Sequence, residues 1–364
     1  QLRKLTGFSI LPGNSAVFDF SSSVPYDKAP QLQRRDFVQN SNDSFWLTNP
    51  AQPLTNASIL YGKVNNQQTL RSRMGQKLLQ NSAGTDGKFT ARELENALFS
   101  QRGYLVEAVL DDLLIQCQSQ GETPVPVMDA AGVVIAEVNV ADACAALSQW
   151  DRRFHRDSRG ALVFREFAMQ FGRNPQWTVP FDATQPLDTP HTLQASATTL
   201  QQLAQAALNL QAANIAPDAE LGAGQFVQRT QADGTLGERF PWAGTHNIEG
   251  GFNVFRPVYG SDGSLLPRRV YTPLPGTELS AEAAGYAIDY GSSWMMIVDF
   301  TRHGPRAKGL MTYSQSTDYT AEHALDQTRL YSEQPRLHPL PFREREVAAR
   351  TQSKVKLRLD TRVE

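Results

Sequence analysis

The 364-residue sequence is poor in cysteine and has no long apolar run. Its two cysteines, Cys117 and Cys144, are too few for a disulfide-rich scaffold or a four-cysteine zinc site, although they can form one bond. The longest apolar runs fall far below the roughly 20 residues that a helix needs to cross a bilayer. We therefore expect no membrane span.

Neither sign of charge dominates the sequence. Lysine and arginine number 35, aspartate and glutamate number 37, and the net charge is −2 at pH 7. Because neither sign gathers into a block, binding of nucleic acid through a broad basic surface is disfavoured. The 40% hydrophobic content is enough for a sizeable core, which excludes a wholly disordered protein.

Metal and nucleotide motifs are also missing. The six histidines lie far apart, and none forms an HExxH or other close metal-ligand pair. Residues 82–93 imitate part of a calcium-binding loop, but Ser82 and Gly84 stand where the ion needs carboxylates. The glycine-rich residues 244–251 match neither a P-loop nor a dinucleotide fingerprint, and a strand-connecting turn is the better interpretation. We expect no metal site and no cofactor.

The first two thirds of the chain read as irregular and then helical. Residues 1–85 are rich in Asn, Ser, Pro and Gln, which predicts irregular chain with a few short strands. Thr90 and Glu93 form the capping box of a helix start. Apolar periodicity and runs of good helix formers predict three further helices, over about 106–117, 140–150 and 196–213, with a small hairpin or loop at 121–138.

From about residue 220 the pattern becomes that of strands. Four strands are predicted, at 252–258, 265–271, 294–300 and 309–314. The order of irregular, helical and strand-rich segments predicts an α+β fold rather than a repeating βαβ array.

Residues 34–50 have the most unusual composition of the chain. Three Asn, a Gln and an Asp lie there around large apolar residues, among them Phe45 and Trp46. Amides beside aromatics suit a pocket in which a few polar donors converge on an apolar ligand. The alternative is a turn-rich loop that uses Asn for left-handed backbone, and composition alone favours it.

Four segments carry a family resemblance. They read RRDFVQNSNDS at 34–44, ACAALSQWD at 143–151, FDATQPLDTP at 181–190, and SQS at 314–316 followed by His323 and Asp326-Gln327. In these segments the sequence resembles the penicillin-acylase branch of the N-terminal nucleophile hydrolases, and within it the acyl-homoserine lactone and aculeacin acylases. The resemblance extends from residue 31 to about residue 347, which is most of the chain.

The resemblance implies a fold and a mechanism. The fold would be part of a four-layer αββα sandwich in one catalytic domain, with residues 1–89 carrying the Asn motif, 90–215 as a helical excursion and 216–364 as a strand-rich return. In this family the precursor cleaves itself and exposes a Ser whose α-amine acts as general base. That Ser attacks an amide carbonyl, and the C–N bond breaks to release the amine and leave an acyl-enzyme. Water then hydrolyses this ester and frees the acid and the Ser.

Two residues are assigned roles by the resemblance. A side-chain amide can stabilise the tetrahedral oxyanion as a neutral donor that does not titrate, and Asn42 matches the family's oxyanion-hole Asn. The family also places an arginine near the nucleophile, for which Arg71 is the candidate and Arg73 its rival. A fixed cation there could keep the amine neutral and orient Asn42. The alternative for Arg71 is a solvated arginine at a helix start.

The nucleophile itself is not in this sequence. By the resemblance, the Ser, the α chain and the N-terminal part of the β chain precede Gln1, which has no hydroxyl or thiol to replace that Ser. We expect an amidohydrolase fragment, inactive alone, whose parent cleaves a small acylated amide, either an N-acyl-homoserine lactone or a lipopeptide. The alternatives are a non-catalytic binding module on the same scaffold and a β-lactam acylase. The family setting implies a periplasmic or secreted protein.

That setting also permits oxidation of the two cysteines. Cys117 and Cys144 lie on apolar stripes of consecutive predicted helices, so antiparallel packing could bring them face to face. The alternative, at equal weight, is two buried free thiols that act as small hydrophobes.

Overall fold

A computed structural model describes residues 13–16, 19, 22–81, 86–258 and 268–357. The chain forms two compact units, Gln1–Asn66 and Gln67–Glu364. Helices and sheets occur together in the second unit, in agreement with the α+β class.

The first unit is built from turns and short 3₁₀ helices, at Tyr26–Lys28, Phe45–Leu47 and Ile59–Tyr61. The described residues before residue 85 contain no strand, so the few short strands predicted for this segment do not occur in its described part. Side chains bond to backbone carbonyls that a strand ladder would use: Asn49 donates to the carbonyl of Phe37, and Ser44 donates to that of Lys63.

Six helices dominate the first part of the second unit. They are α1 (Leu70–Asn81), α2 (Ala91–Leu98), α3 (Tyr104–Gln120), α4 (Ala141–Gln149), α5 (Ala161–Arg173) and α6 (Ala197–Ala212). The predicted helices at 106–117, 140–150 and 196–213 are confirmed. So is the capping box, in which the Glu93 carboxylate accepts from the Thr90 N–H at 2.7 Å and the Thr90 hydroxyl accepts from the Glu93 N–H at 3.2 Å.

Helices α1 and α5 are not among the helices predicted from the sequence. Helix α1 lies in a polar, asparagine- and glutamine-rich region and contains Gly75, a poor helix former. Helix α5 is buried over most of its length, including the charged Arg165 and Glu166, although Phe164, Phe167 and Phe171 keep a helical spacing.

Twelve short strands in five small sheets follow or interrupt the helices of the described chain. They are β1 (Val125–Met128), β2 (Val134–Val138), β3 (Trp177–Val179), β4 (His191–Leu193), β5 (Gln225–Thr230), β6 (Leu236–Pro241), β7 (Phe255–Arg256), β8 (Tyr286–Ala287), β9 (Tyr290–Gly291), β10 (Trp294–Thr301), β11 (Gly304–Met311) and β12 (His338–Leu340). Helices α7 (Leu221–Gly224), α8 (Asp326–Glu333) and α9 (Glu344–Arg350) and a 3₁₀ helix at Glu322–Ala324 complete the described elements.

The strand predictions are only partly right. The hairpin at 121–138 and the strand at 294–300 are confirmed as β1–β2 and β10. The predicted strand at 309–314 overlaps only the end of β11, at 309–311, and that at 252–258 shortens to β7. Residues 265–267 lie outside the described residues, and 268–271 form no strand. Side chains anchor this segment instead, because Arg268 pairs with Asp289 at 2.5 Å and Arg269 pairs with Glu282.

One large apolar core fills the second unit. Aromatic rings run through it from α4 to α5: Phe164 lies 5.3 Å from the Trp150 ring centre and 5.9 Å from that of Phe167. At the side of this core a disulfide joins Cys117 of α3 to Cys144 of α4, with a Cα–Cα distance of 5.7 Å. Within the described residues, no helix combines the length and apolar character needed to cross a membrane.

Candidate active-site residues

The segment around Asn42 is held by polar contacts within the first unit. Arg34 donates two hydrogen bonds to the Asp36 carboxylate, at 2.9 and 2.7 Å, and this guanidinium holds the pKa of Asp36 well below its usual range. The buried Asn49 amide donates to the Phe37 carbonyl at 2.8 Å, and the Gln39 N–H donates to the Thr48 carbonyl at 2.9 Å. These bonds close residues 36–49 into a loop.

Asn42 lies at the tip of this loop. Its backbone is left-handed, with φ 67°, a conformation that Asn tolerates better than most residues. The side-chain oxygen of Asn40 accepts the Asn42 backbone N–H at 2.9 Å, which is an Asx turn. Asn40 therefore shapes the turn, and Asn42 itself is exposed.

The two arginines of α1 have different surroundings. Arg73 is 1% exposed and donates to the carbonyls of Leu187 (3.1 and 2.6 Å) and Pro190 (3.0 Å), with its guanidinium carbon 4.3 Å from the Tyr104 ring centre. Burial lowers the pKa of Arg73. Arg71 is half-buried on the same helix. These contacts give Arg73 a structural task in the fold of the second unit.

The loop that Arg73 holds is one of the segments that carry the resemblance. Within residues 181–190, the Thr189 hydroxyl accepts the Asp182 N–H at 2.8 Å and donates to the Gln185 carbonyl at 2.8 Å. Tyr104 adds a bond from its hydroxyl to the Leu187 carbonyl at 3.2 Å. The segment is thus a locked loop rather than a cluster of reactive groups.

The remaining segments are also structural. In 143–151, Cys144 forms the disulfide and the Asp151 carboxylate accepts from Ser158 at 2.9 Å. The Ser314 hydroxyl accepts the N–H groups of Gln327 (3.1 Å) and Thr328 (2.9 Å) at the start of α8, and so satisfies donors that have no partner within the helix.

No motif in the sequence points to the buried carboxylate that α5 carries. Glu166 is fully buried and accepts from Thr277 at 2.5 Å, from Asn209 at 2.8 Å and from the hydroxyl of Tyr286. Burial raises the pKa of Glu166 despite these donors. Because its partners come from segments up to 120 residues away in sequence, no local pattern could have revealed them.

A second buried carboxylate lies in the glycine-rich loop 244–251. Glu249 accepts the His246 backbone N–H at 2.6 Å, and burial raises the pKa of Glu249 to about 7. The carbonyls of Glu249 and Gly250 accept the N–H groups of Leu105 (3.0 Å) and Tyr104 (3.2 Å) at the start of α3. This loop connects β6 to β7, so its interpretation as a strand-connecting turn is confirmed.

Metal ligands do not converge among the residues that the structure describes. No group of three or more His, Cys, Asp or Glu there is arranged to hold an ion. Positions 82–85 of the calcium-like segment lie outside the described residues. The Glu93 carboxylate of that segment is used by the capping box.

Known proteins match nearly the whole chain. The model of the family described as penicillin amidase matches residues 2–349. The acyl-homoserine lactone acylase PvdQ of Pseudomonas fluorescens (strain Pf0-1) is 30% identical over 328 residues, which are 90% of this chain and 37% of that protein. Aculeacin-A acylase of Actinoplanes utahensis is 32% identical over 310 residues, which are 83% of this chain and 35% of that protein.

The chain therefore spans little more than a third of the length of the curated relatives it matches. The family match covers both compact units and includes the Asn42 loop as well as helix α1. This chain belongs to the penicillin amidase family.

Proposed function

We propose that this chain is part of an amidohydrolase that cleaves the amide bond between an acyl chain and an amine-bearing head group. The relatives named above act on acyl-homoserine lactones and on aculeacin, so an N-acyl-homoserine lactone or a lipopeptide is the proposed substrate class. A Ser from polypeptide that the relatives have beyond the matched length would be the nucleophile. The three segments 1–89, 90–215 and 216–364 would then belong to one catalytic domain with the four-layer sandwich, in the periplasm or outside the cell.

The geometry of Asn42 carries this proposal. An oxyanion donor must already be in place when the negative charge develops, because reorganisation during the reaction would cost energy. The Asx turn from Asn40 and the loop bonds of Asn49 fix the backbone at Asn42, and the exposed amide can donate to an oxygen held against it. A neutral amide keeps this capacity across the pH range.

The first test removes the Asn42 amide in the complete enzyme. Asn42→Gly keeps the left-handed backbone and deletes the donor, so kcat should fall by about 10²- to 10³-fold while processing and melting temperature are unchanged. Asn65→Gly is the matched control, because Asn65 is also exposed and left-handed, with φ 56°. Activity of Asn42→Gly within a few-fold of the control would remove Asn42 from the site.

The second test separates the two arginines of α1. Arg71→Leu should lower kcat of the processed enzyme by at least about tenfold, with little change in melting temperature, if a cation supports the amine or Asn42. Arg73→Leu should instead lower the melting temperature. It removes the buried guanidinium and the three hydrogen bonds that this group donates to the carbonyls of Leu187 and Pro190, so the 187–190 loop loses its anchor. If Arg73→Leu alone loses activity, and does so at unchanged stability, the cation near the nucleophile is Arg73 rather than Arg71.

A further inference from the structure

The glycine-rich loop 244–251 lies between the starts of two helices of the second unit. Its Gly250 carbonyl accepts the N–H of Tyr104, the first residue of α3, at 3.2 Å. The backbone of Gly250 also lies against Leu70, the first residue of α1. One residue of this loop therefore contacts the first turns of both helices.

No side chain fits at position 250. A Cβ there would overlap the Leu70 Cβ and would lie 2.7 Å from the Leu70 carbonyl carbon. Because carbon atoms pack at about 3.5–4.0 Å, a methyl group at this position would displace the start of α1 by about 1 Å. The φ of Gly250, 72°, is also a left-handed value that favours glycine. Close approach and backbone conformation both require glycine here.

The loop is closed by bonds of its own. The Glu249 carboxylate accepts the His246 N–H at 2.6 Å, and the His246 carbonyl accepts the N–H groups of Glu249 (3.1 Å) and Gly250 (3.2 Å). Gly251 forms a backbone bridge with Gly103, directly before α3. Because this loop is closed and buried, a group added to Gly250 displaces the half-buried start of α1 rather than the loop.

Helix α1 is thus held at two places. Arg73 ties it to the 187–190 loop, and Gly250 sets the position of Leu70, which Arg71 follows directly. We propose that Gly250 is a positioning residue that places the Arg71 guanidinium for amide cleavage, acting through the backbone of Leu70. The inference rests on the role given to Arg71 in the proposed function.

Gly250→Ala in the complete acylase tests this role. It should lower kcat by about tenfold, the loss expected for Arg71→Leu, because a misplacement of about 1 Å is enough to lower the rate of an enzyme reaction. Gly132→Ala is the matched control. Gly132 has φ 80° and no atom within 4 Å of an added Cβ, so its variant has the same backbone strain without a displaced helix and should keep the parent kcat.

The double variant separates positioning from loss of stability. If Gly250 acts through Arg71, Gly250→Ala/Arg71→Leu should have the kcat of Arg71→Leu alone, since no guanidinium is left to displace. Losses that multiply, or a Gly250→Ala enzyme as active as Gly132→Ala, would overturn the inference and leave the amidohydrolase intact. An unmodified acylase that cleaves no amide would instead overturn the proposed function and, with it, the role of Arg71.

Glu249→Ala provides the test if Gly250→Ala does not fold. This variant removes the side-chain bond that closes the loop and adds no atom beside Leu70. Amide hydrogen exchange at residues 70–73 should become faster than in the parent, and kcat should fall in the enzyme that has Arg71 but not further in Arg71→Leu. An unchanged kcat would contradict a positioning role for the loop.

Discussion

The loop at 36–49 and the helical region from α2 to α6 are both matched by the family, but different forces hold them. The loop depends on side chains that bond to nearby backbone, such as Asn49 to Phe37 and Asn40 to Asn42. The helices depend on a continuous apolar core in which Phe164 is fully buried, and on one disulfide.

The difference explains where a reactive side chain can be placed. Short polar contacts fix a backbone while leaving a side chain such as that of Asn42 exposed. A close-packed core fixes its residues by surrounding them on every side, which removes them from contact with a substrate. We therefore expect substitutions in the loop to change mainly the activity, and substitutions in the helical region to change mainly the stability.

The largest expected effect is in the core. Phe164→Ala should lower the free energy of unfolding by about 3–5 kcal/mol, because it leaves a cavity between Trp150 and Phe167. Chemical denaturation measures this loss, and Phe164→Leu should lose much less. Hydrogen exchange of the 36–49 amides should be unchanged under native conditions; faster exchange there would break the distinction between the two regions.

The disulfide is the next test of the helical region. Closing the segment between Cys117 and Cys144, which are 27 positions apart, should contribute about 3 kcal/mol by the chain-entropy estimate. Cys117→Ser/Cys144→Ser should therefore unfold at a lower denaturant concentration than the parent, with kcat retained. Thiol titration of the denatured, unreduced protein gives the control: two free thiols in this chain's peptides would mean that the bond does not form.

The smallest effect should come from pH. The folded pKa of Glu249, about 7, lies above its ordinary value of 4.5, so the folded state keeps a proton that the unfolded chain loses between these values. The contribution of Glu249 to stability is therefore complete below pH 4.5 and is lost as pH rises toward 7, by about 1 kcal/mol per pH unit.

Glu249→Gln isolates this contribution. Its stability relative to the parent should increase from pH 5 to pH 8, because Gln has no proton to lose, and denaturation curves at several pH values would show it. Glu220→Gln is the control, since Glu220 lies exposed in an ion pair with Arg159. A stability difference that does not vary with pH would show that Glu249 does not titrate in this range.

Local signals in the sequence were enough for some of these features. The capping box at Thr90, the apolar stripe of α3 and the apolar run of β10 all involve residues within one helix or strand, so the pattern and the structure agree. The motif at 34–44 offers Asn42 as the oxyanion-hole residue by resemblance, and this stays a prediction. Helix α5 is not among the predicted helices, although Phe164, Phe167 and Phe171 keep a helical spacing; only the structure shows that its charged residues Arg165 and Glu166 are buried.

By itself the sequence determined the family, the α+β class and the residues offered for catalysis, because short sequence motifs and local apolar periodicity carry this information. Only the tertiary structure decided that Arg73 holds the 187–190 loop, that Glu166 is surrounded by donors from distant segments, and that Gly250 lies against the start of α1. The physical reason is that burial and hydrogen-bond partners are set by which distant segments pack together, and a local pattern does not record that packing.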